Sequence, residues 1–254
     1  MSETIAQIKE KLAQIHDSQD EYVLQLRKDE RAGVQKLVQQ FENRLAKEQA
    51  LIKKAHEMRQ FENELLTKGY QTICGIDEVG RGPLAGPVVA AAVILPNDEL
   101  ILGLNDSKQL SEKKRESLYQ IIQEKAVAIG IGVVDETTID AINIYQAARL
   151  AMTKAVEQLA VQPDYLLIDA MELDLDIQQT SLIKGDARSQ SIAAASIIAK
   201  VYRDHLMVEL DKQYPGYGFG KNAGYGTKEH LEGLAKYGVT PIHRKTFAPI
   251  KDMI

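Results

Sequence analysis

The chain has 254 residues, 44% of them hydrophobic and 26% charged, with a formal net charge of −5; that is enough to bury one substantial core and a smaller second unit. One cysteine, Cys74, excludes an internal disulfide framework. No apolar run approaches the ~20 residues of a membrane span, and Met1 to Lys11 scatters charges among apolar residues, so secretion and anchoring are not expected and a cytoplasmic location is.

Residues 1–68 hold one glycine, Gly33, and no proline. Apolar residues recur at helical spacing: Ile5, Ile8, Leu12, Ile15, then Val34, Leu37, Val38, Phe41, Leu45, then Leu51, Ile52, Ala55, Met58, Phe61, Leu65. Residues 1–69 are therefore expected to be a helical extension of two to four helices, with breaks at Asp17–Ser18 and near Gly33. Residues 70–254 follow α/β logic, short apolar runs alternating with helices. Strands are expected at 70–76, 87–95, 128–134, 165–169 and 179–183. Helices are expected at 111–125 and at 137–160, opened by Asp135-Glu136-Thr137. The alanine-rich stretch 189–210 is expected to be a packed helix whose small residues permit close approach to the sheet.

Charge is distributed unevenly. Basic and acidic residues number 12 and 12 in residues 1–69, 8 and 17 in 70–183, and 11 and 7 in 184–254. An acidic middle beside a basic tail permits a metal-centred nuclease, with carboxylates for cations and lysines and arginines for phosphate, and does not require one.

The densest pattern is Gly75-Ile76-Asp77-Glu78-Val79-Gly80-Arg81-Gly82-Pro83-Leu84-Ala85-Gly86-Pro87. Neighbours on a regular strand face opposite sides, so Asp77 and Glu78 serve one site only if the strand ends or twists there, which the following glycines allow. A solvated acidic pair in a tight turn fits equally well. Asp169 ends the run Tyr165-Leu166-Leu167-Ile168, and Asp186 lies in Lys184-Gly185-Asp186-Ala187-Arg188 just before a helix. Acids at strand carboxyl ends sit where sites gather in α/β folds, and clustered carboxylates suit a hard divalent cation. Taken singly, a salt bridge explains Asp169 and a helix cap explains Asp186.

These residues, with Cys74 to Leu95, Asn105-Asp106-Ser107-Lys108, residues 166–170, Lys184 to Asp204, Asn222-Ala223-Gly224-Tyr225-Gly226-Thr227-Lys228-Glu229-His230 and Thr240-Pro241-Ile242-His243-Arg244-Lys245-Thr246-Phe247, resemble ribonuclease HII over roughly residues 70–250. The resemblance implies a ribonuclease-H-like domain, a mixed five-stranded sheet flanked by helices, over residues 70–254, with a helical C-terminal segment. It implies that Asp77, Glu78, Asp169 and Asp186 ligate two Mg²⁺ or Mn²⁺ ions and cut the RNA strand of RNA–DNA hybrids, and 5′ of single ribonucleotides in duplex DNA. The ends left are 5′-phosphate and 3′-hydroxyl. Gly80, Arg81 and Gly82 are placed at the 2′-hydroxyl and Tyr225 against the sugar on the 3′ side. Lys108, Lys184 and Arg188 are expected as phosphate or carboxylate partners, Lys184 foremost.

Ala223 stands where many members carry a basic residue, and many members lack the helical extension. The extension has two readings, a duplex clamp presenting its basic residues to phosphates and a coiled-coil contact with a protein partner. A monomer is expected. His230, His243 and Cys74 read as structural. Ribonuclease HIII, a DNA-directed nuclease of the same fold and a non-catalytic binding module are the competing readings; Arg81, Tyr225 and the glycine turn favour ribonuclease HII.

Overall fold

The computed structural model describes residues 3–254. Its contacts divide the chain into two compact units, Met1–His56 and Glu57–Ile254. No helix among the described residues is long and apolar enough to cross a membrane.

The first unit contains α1 (Ile5–Gln14), α2 (Glu21–Leu26) and nearly all of α3 (Ala32–Glu57). Thr4 opens α1 with a reciprocal capping box to Gln7, and Asp20 caps α2 through the Tyr22 amide. Arg44 donates to the carbonyls of Leu12, Ala13 and Ile15, satisfying the carbonyls at the end of α1. Ile8, Leu12, Val23, Leu26, Val34, Val38, Phe41 and Leu45 form a core of its own, as the helical spacing predicts.

The second unit begins with α4 (Gln60–Thr67) and continues β1 (Ile73–Val79), β2 (Val88–Ile94), a 3-10 turn at Ser107–Gln109, α5 (Glu112–Lys125), β3 (Ala128–Val134), α6 (Glu136–Ile142), α7 (Ile144–Glu157), β4 (Tyr165–Asp169), β5 (Gln179–Leu182), a 3-10 turn at Gly185–Ala187, α8 (Gln190–Gln213), α9 (Phe219–Asn222) and α10 (Lys228–Tyr237). The sheet order is β3-β2-β1-β4-β5, with β1, β2 and β3 antiparallel and β1, β4 and β5 parallel. This is the expected mixed five-stranded sheet.

Alternation along the all-buried β2 sends Val88, Ala90, Ala92 and Ile94 to the face covered by α7, and Val89, Ala91 and Val93 to the face covered by α8 and α5. Small residues set the spacing. A methyl group added at Gly75 would lie 2.0 Å from the Ser191 carbonyl carbon of α8, and one at Gly132 would lie 1.9 Å from the Ala151 carbonyl oxygen of α7.

Two expectations need correction. The helix predicted at 137–160 is broken at Asn143, whose φ of 69° ends α6 and whose side chain caps α7 by accepting from the Tyr145 and Gln146 amides. The strand expected at 70–76 runs instead from Ile73 to Val79, pairing with β2 past Asp77 and Glu78 as far as Val79. What ends is the other edge, since pairing with β4 stops at Ile76–Ile168.

Candidate active site

Where β4 leaves β1, a notch opens at the carboxyl ends of two parallel strands, and the four candidate acids meet there. Asp77 is buried, 6% exposed, and its Oδ1 accepts from the Glu78 amide at 2.7 Å. Burial first, then the charges of Glu78 and Asp169, push the Asp77 carboxyl well above the ordinary aspartate range, while the neighbouring Ser196 hydroxyl on α8 pulls the other way. Burial also raises Glu78, opposed by Arg81, whose guanidinium lies 3.4 Å from Oε1. Glu78 Oε2 is buried with no hydrogen-bond partner. Asp169 closes β4, and its Oδ1 accepts from the Gly185 amide at 2.6 Å, which ties the loop carrying Asp186 to the end of β4. Burial lifts Asp186 to about 6, with the charges of Asp106 and Asp169 adding to it.

Backbone strain borders these residues. Among the described residues the only non-glycine positions of positive φ besides Asn143 are Ala170 (48°), Lys184 (55°) and Ala223 (50°), which follow Asp169, precede Gly185-Asp186 and precede Gly224-Tyr225. Strain of this kind persists where surrounding structure over-determines it, commonly at functional sites.

Of the expected cations, Lys108 is the one whose charge acts on Asp169 and Asp186, lowering both. Lys184, the favoured candidate in the sequence, is exposed and left-handed in backbone, and it is not among the groups that shift either acid. Arg188 donates to the Ile183 carbonyl at 3.1 Å and lies 5.0 Å over the Phe61 ring.

The glycine turn and Tyr225 are brought side by side: a methyl group at Gly82 would lie 3.3 Å from Tyr225 Cε1. Gly80 has a φ of 91°. Two arginines with no exposed surface, Arg203 and Arg244, brace this region from beneath. Arg244 donates to the carbonyls of Gly80, Arg81 and Gly86, and Arg203 to those of Ala85, Pro87 and Ala223. With the Gly80 and Arg81 carbonyls held inward, the trans peptide groups aim the Arg81 and Gly82 amides to the opposite side.

Four contributors were missed in the sequence. The charge of Asp106 raises Asp186; its position was visible beside Lys108, but its charge was not weighed. Arg203 and Arg244 lie inside matched segments and look like ordinary surface cations. Glu62, 5% exposed on α4, accepts from Ser189 Oγ (2.6 Å), Ser191 Oγ (2.7 Å) and the Ser191 amide (3.0 Å), pinning the start of α8 just after Asp186.

The donor set fits a hard divalent cation: carboxylate oxygens only, one of them buried and unpartnered. The acids interact through space rather than forming a closed coordination shell, and no group of three or more His, Cys, Asp or Glu has ligand spacing among the described residues.

The mixed sheet with carboxylates at its strand ends defines a ribonuclease-H-like hydrolase. Comparisons narrow this further. Residues 74–250 match the family model described as ribonuclease HII, and residues 4–66 match that of the ribonuclease HII N-terminal domain. The chain is 66% identical to a ribonuclease HII from Enterococcus faecalis, over 99% of each chain, and 59% identical to one from Leuconostoc citreum, over 100% of this chain and 98% of the relative. The solved ribonuclease H2 from Pyrococcus horikoshii superposes with a TM-score of 0.62 at 25% identity, covering 72% of this chain and 96% of the other. The chain belongs to the ribonuclease HII family and is a metal-dependent hydrolase of ribonuclease H type.

Proposed function

We propose that the enzyme cuts the RNA strand of RNA–DNA hybrids, and duplex DNA on the 5′ side of a single embedded ribonucleotide, leaving 5′-phosphate and 3′-hydroxyl ends. The observation that carries this reading is the meeting of Asp77, Glu78, Asp169 and Asp186 at the open edge of β1, in a chain whose glycine turn lies against Tyr225. Asp77, Glu78, Asp169 and Asp186 would hold the metal, two ions of Mg²⁺ or Mn²⁺. When bound, the ions supply the positive charge that activates a water and stabilises the leaving 3′ oxygen.

The protein's own groups do the reading. The Arg81 and Gly82 amides face the 2′-hydroxyl, because carbonyl-directed guanidinium groups hold the turn in one orientation. Tyr225, 45% exposed, offers a flat ring for the sugar on the 3′ side, and a deoxyribose packs there without leaving a hydroxyl unsatisfied. Lys108 balances the acids and contacts phosphate, with Lys184 and Arg188 on the same approach. The reading places the enzyme in the cytoplasm as a monomer, with the N-terminal unit as duplex clamp or protein contact.

The test is an end-labelled DNA duplex carrying one ribonucleotide, incubated with Mg²⁺, Mn²⁺ or chelator beside an all-DNA duplex. Cutting 5′ to the ribonucleotide only when metal is present is the expected result. Cutting of the all-DNA duplex, or none by folded metal-loaded enzyme, overturns the reading.

A further inference from the structure

Two buried histidines lie behind Tyr225 and take no part in the chemistry described so far. His230, on α10, and His243 meet Nε2 to Nε2 at 2.9 Å. His230 Nδ1 stands 2.9 Å from the Tyr225 carbonyl oxygen, and His243 Nδ1 stands 2.9 Å from the Thr240 amide nitrogen and 2.7 Å from the Thr240 hydroxyl oxygen. Both rings are essentially without exposed surface, at 0% and 1%, and Tyr217 and Phe219, stacked at 5.2 Å, wall them in, with the Phe219 ring edge-on to His230 at 5.1 Å.

The end groups fix every proton between them. An amide N–H only donates, so the Thr240 amide requires a bare His243 Nδ1, and the Thr240 hydroxyl, which can donate or accept, adapts to it as a second donor; a neutral ring then carries its proton on Nε2 and donates it to His230. A carbonyl only accepts, so His230 carries its proton on Nδ1 and leaves Nε2 bare to accept. The two requirements agree, and one arrangement satisfies all four ring nitrogens. A second proton on either ring would face another donor. Burial accordingly holds both rings below the ordinary histidine range, His243 at about 4.

The wire ends on the residue that reads the sugar. The Tyr225 carbonyl accepts from two donors, His230 Nδ1 and the Thr227 amide at 2.7 Å, while the Tyr225 amide donates to the Asn222 carbonyl at 2.9 Å. Two donors converging on one carbonyl set the peptide plane that follows Tyr225, in a loop whose neighbours Gly224 and Gly226 impose little restraint of their own. The preceding Gly224 carbonyl accepts from Leu84 in the glycine turn at 2.8 Å.

We propose that His230 and His243 are positioning residues for substrate selectivity, a hydrogen-bond wire locked in one tautomer that fixes the Tyr225 loop against the glycine turn; this rests on the reading of Tyr225 as the sugar contact. The wire runs from the Thr240 amide through both rings to the Tyr225 carbonyl, and links the segment after α10 to the selectivity loop.

Two measurements on the full-length enzyme test it. Ring-nitrogen NMR of ¹⁵N-histidine-labelled protein at neutral pH is expected to show a protonated Nε2 and bare Nδ1 for His243, and the reverse for His230; any other pattern, or an imidazolium, overturns the wire, whether or not any variant folds. The second compares kcat/KM on a single-ribonucleotide duplex with that on a continuous RNA–DNA hybrid. His230→Leu, which removes a buried hydrogen bond and leaves His243 without an acceptor, is expected to lower that ratio about tenfold. His230→Asn, whose amide can still donate to Tyr225, is expected to recover most of it, with metal affinity unchanged in both. A folded His230→Leu that keeps the wild-type ratio while Tyr225→Ala loses it overturns the wire alone. An unchanged ratio in Tyr225→Ala overturns the sugar-contact reading and, with it, the wire's role in selectivity.

Discussion

Replacing Asp186 by asparagine should make the metal-free protein more stable at neutral pH, although it removes a proposed ligand. Burial and the neighbouring charges of Asp106 and Asp169 lift this carboxyl to about 6, roughly two powers of ten above an ordinary aspartate near ~3.9. At ~1.4 kcal/mol for each tenfold step the ionised form costs the folded chain about 3 kcal/mol. Asp186 is only partly buried, so solvent screening reduces this to about 1.5 kcal/mol.

The sign follows from the raised value. The folded state holds the proton more tightly than the unfolded state, so the cost is absent below the unfolded range near ~4 and fully present above about 6. In chelator at pH 7.5, Asp186→Asn should melt about 3–6 °C above wild type, and the gap should shrink markedly by pH 5. Mn²⁺ at a hundred times its Kd should reverse the order, since binding then stabilises wild type by about 2.7 kcal/mol. Thermal melts by circular dichroism decide it. Asp186→Asn no more stable than wild type in chelator at pH 7.5, or equally favoured at both pH values, refutes the claim that the acids repel one another in a partly desolvated notch.

Other perturbations separate brace from site. Removing residues 1–56 takes away a unit with its own core, so the chain from Glu57 should fold; a chain starting at Tyr70 also loses Met58, Glu62 and Leu65 and should melt far lower or aggregate. Glu62→Ala strands the Ser189 and Ser191 hydroxyls and the Ser191 amide at the start of α8 and should cost about 2–3 kcal/mol by urea denaturation. Arg244→Met leaves the carbonyls of Gly80, Arg81 and Gly86 without their donor; a loss of about 3 kcal/mol or more is expected, together with loss of RNA selectivity in the cleavage assay. Gly80→Ala places a methyl group 2.3 Å from Arg203 Nε at a φ of 91°, so activity should fall at least tenfold with a lowered melting temperature.

The elements were legible where one periodicity dominates. β3 and β4 match the expected ranges because Ala128–Val134 and Tyr165–Asp169 are short apolar runs bounded by clear breaks. The join of α6 to α7 was hidden because its turn depends on one asparagine taking positive φ, a choice enforced by packing rather than composition. The change of composition near residue 70 marks where sheet begins, whereas α4 packs with the second unit through Glu62 and Leu65. The four acids were named through the resemblance to ribonuclease HII, since the turn and strand-end signals beside them, taken singly, fit a solvated pair, a salt bridge or a helix cap as well. Their common notch could not be read from the sequence, since it arises where β4 stops pairing with β1, a matter of strand order. The buried arginines were illegible for a related reason: guanidinium groups that bind carbonyls scattered from Gly80 to Ala223 leave no trace in their own flanking residues.

The most direct test of a carboxylate centre that holds metal on the cut phosphate is sulfur substitution of the non-bridging oxygens at that phosphate, in the single-ribonucleotide duplex, with cleavage rates compared in Mg²⁺ and Mn²⁺. The account predicts a large loss of rate in Mg²⁺ for at least one stereoisomer and its recovery in Mn²⁺, which accepts sulfur more readily. Equal rates for oxygen and sulfur substrates in Mg²⁺, or a loss that Mn²⁺ leaves untouched for both stereoisomers, would contradict it.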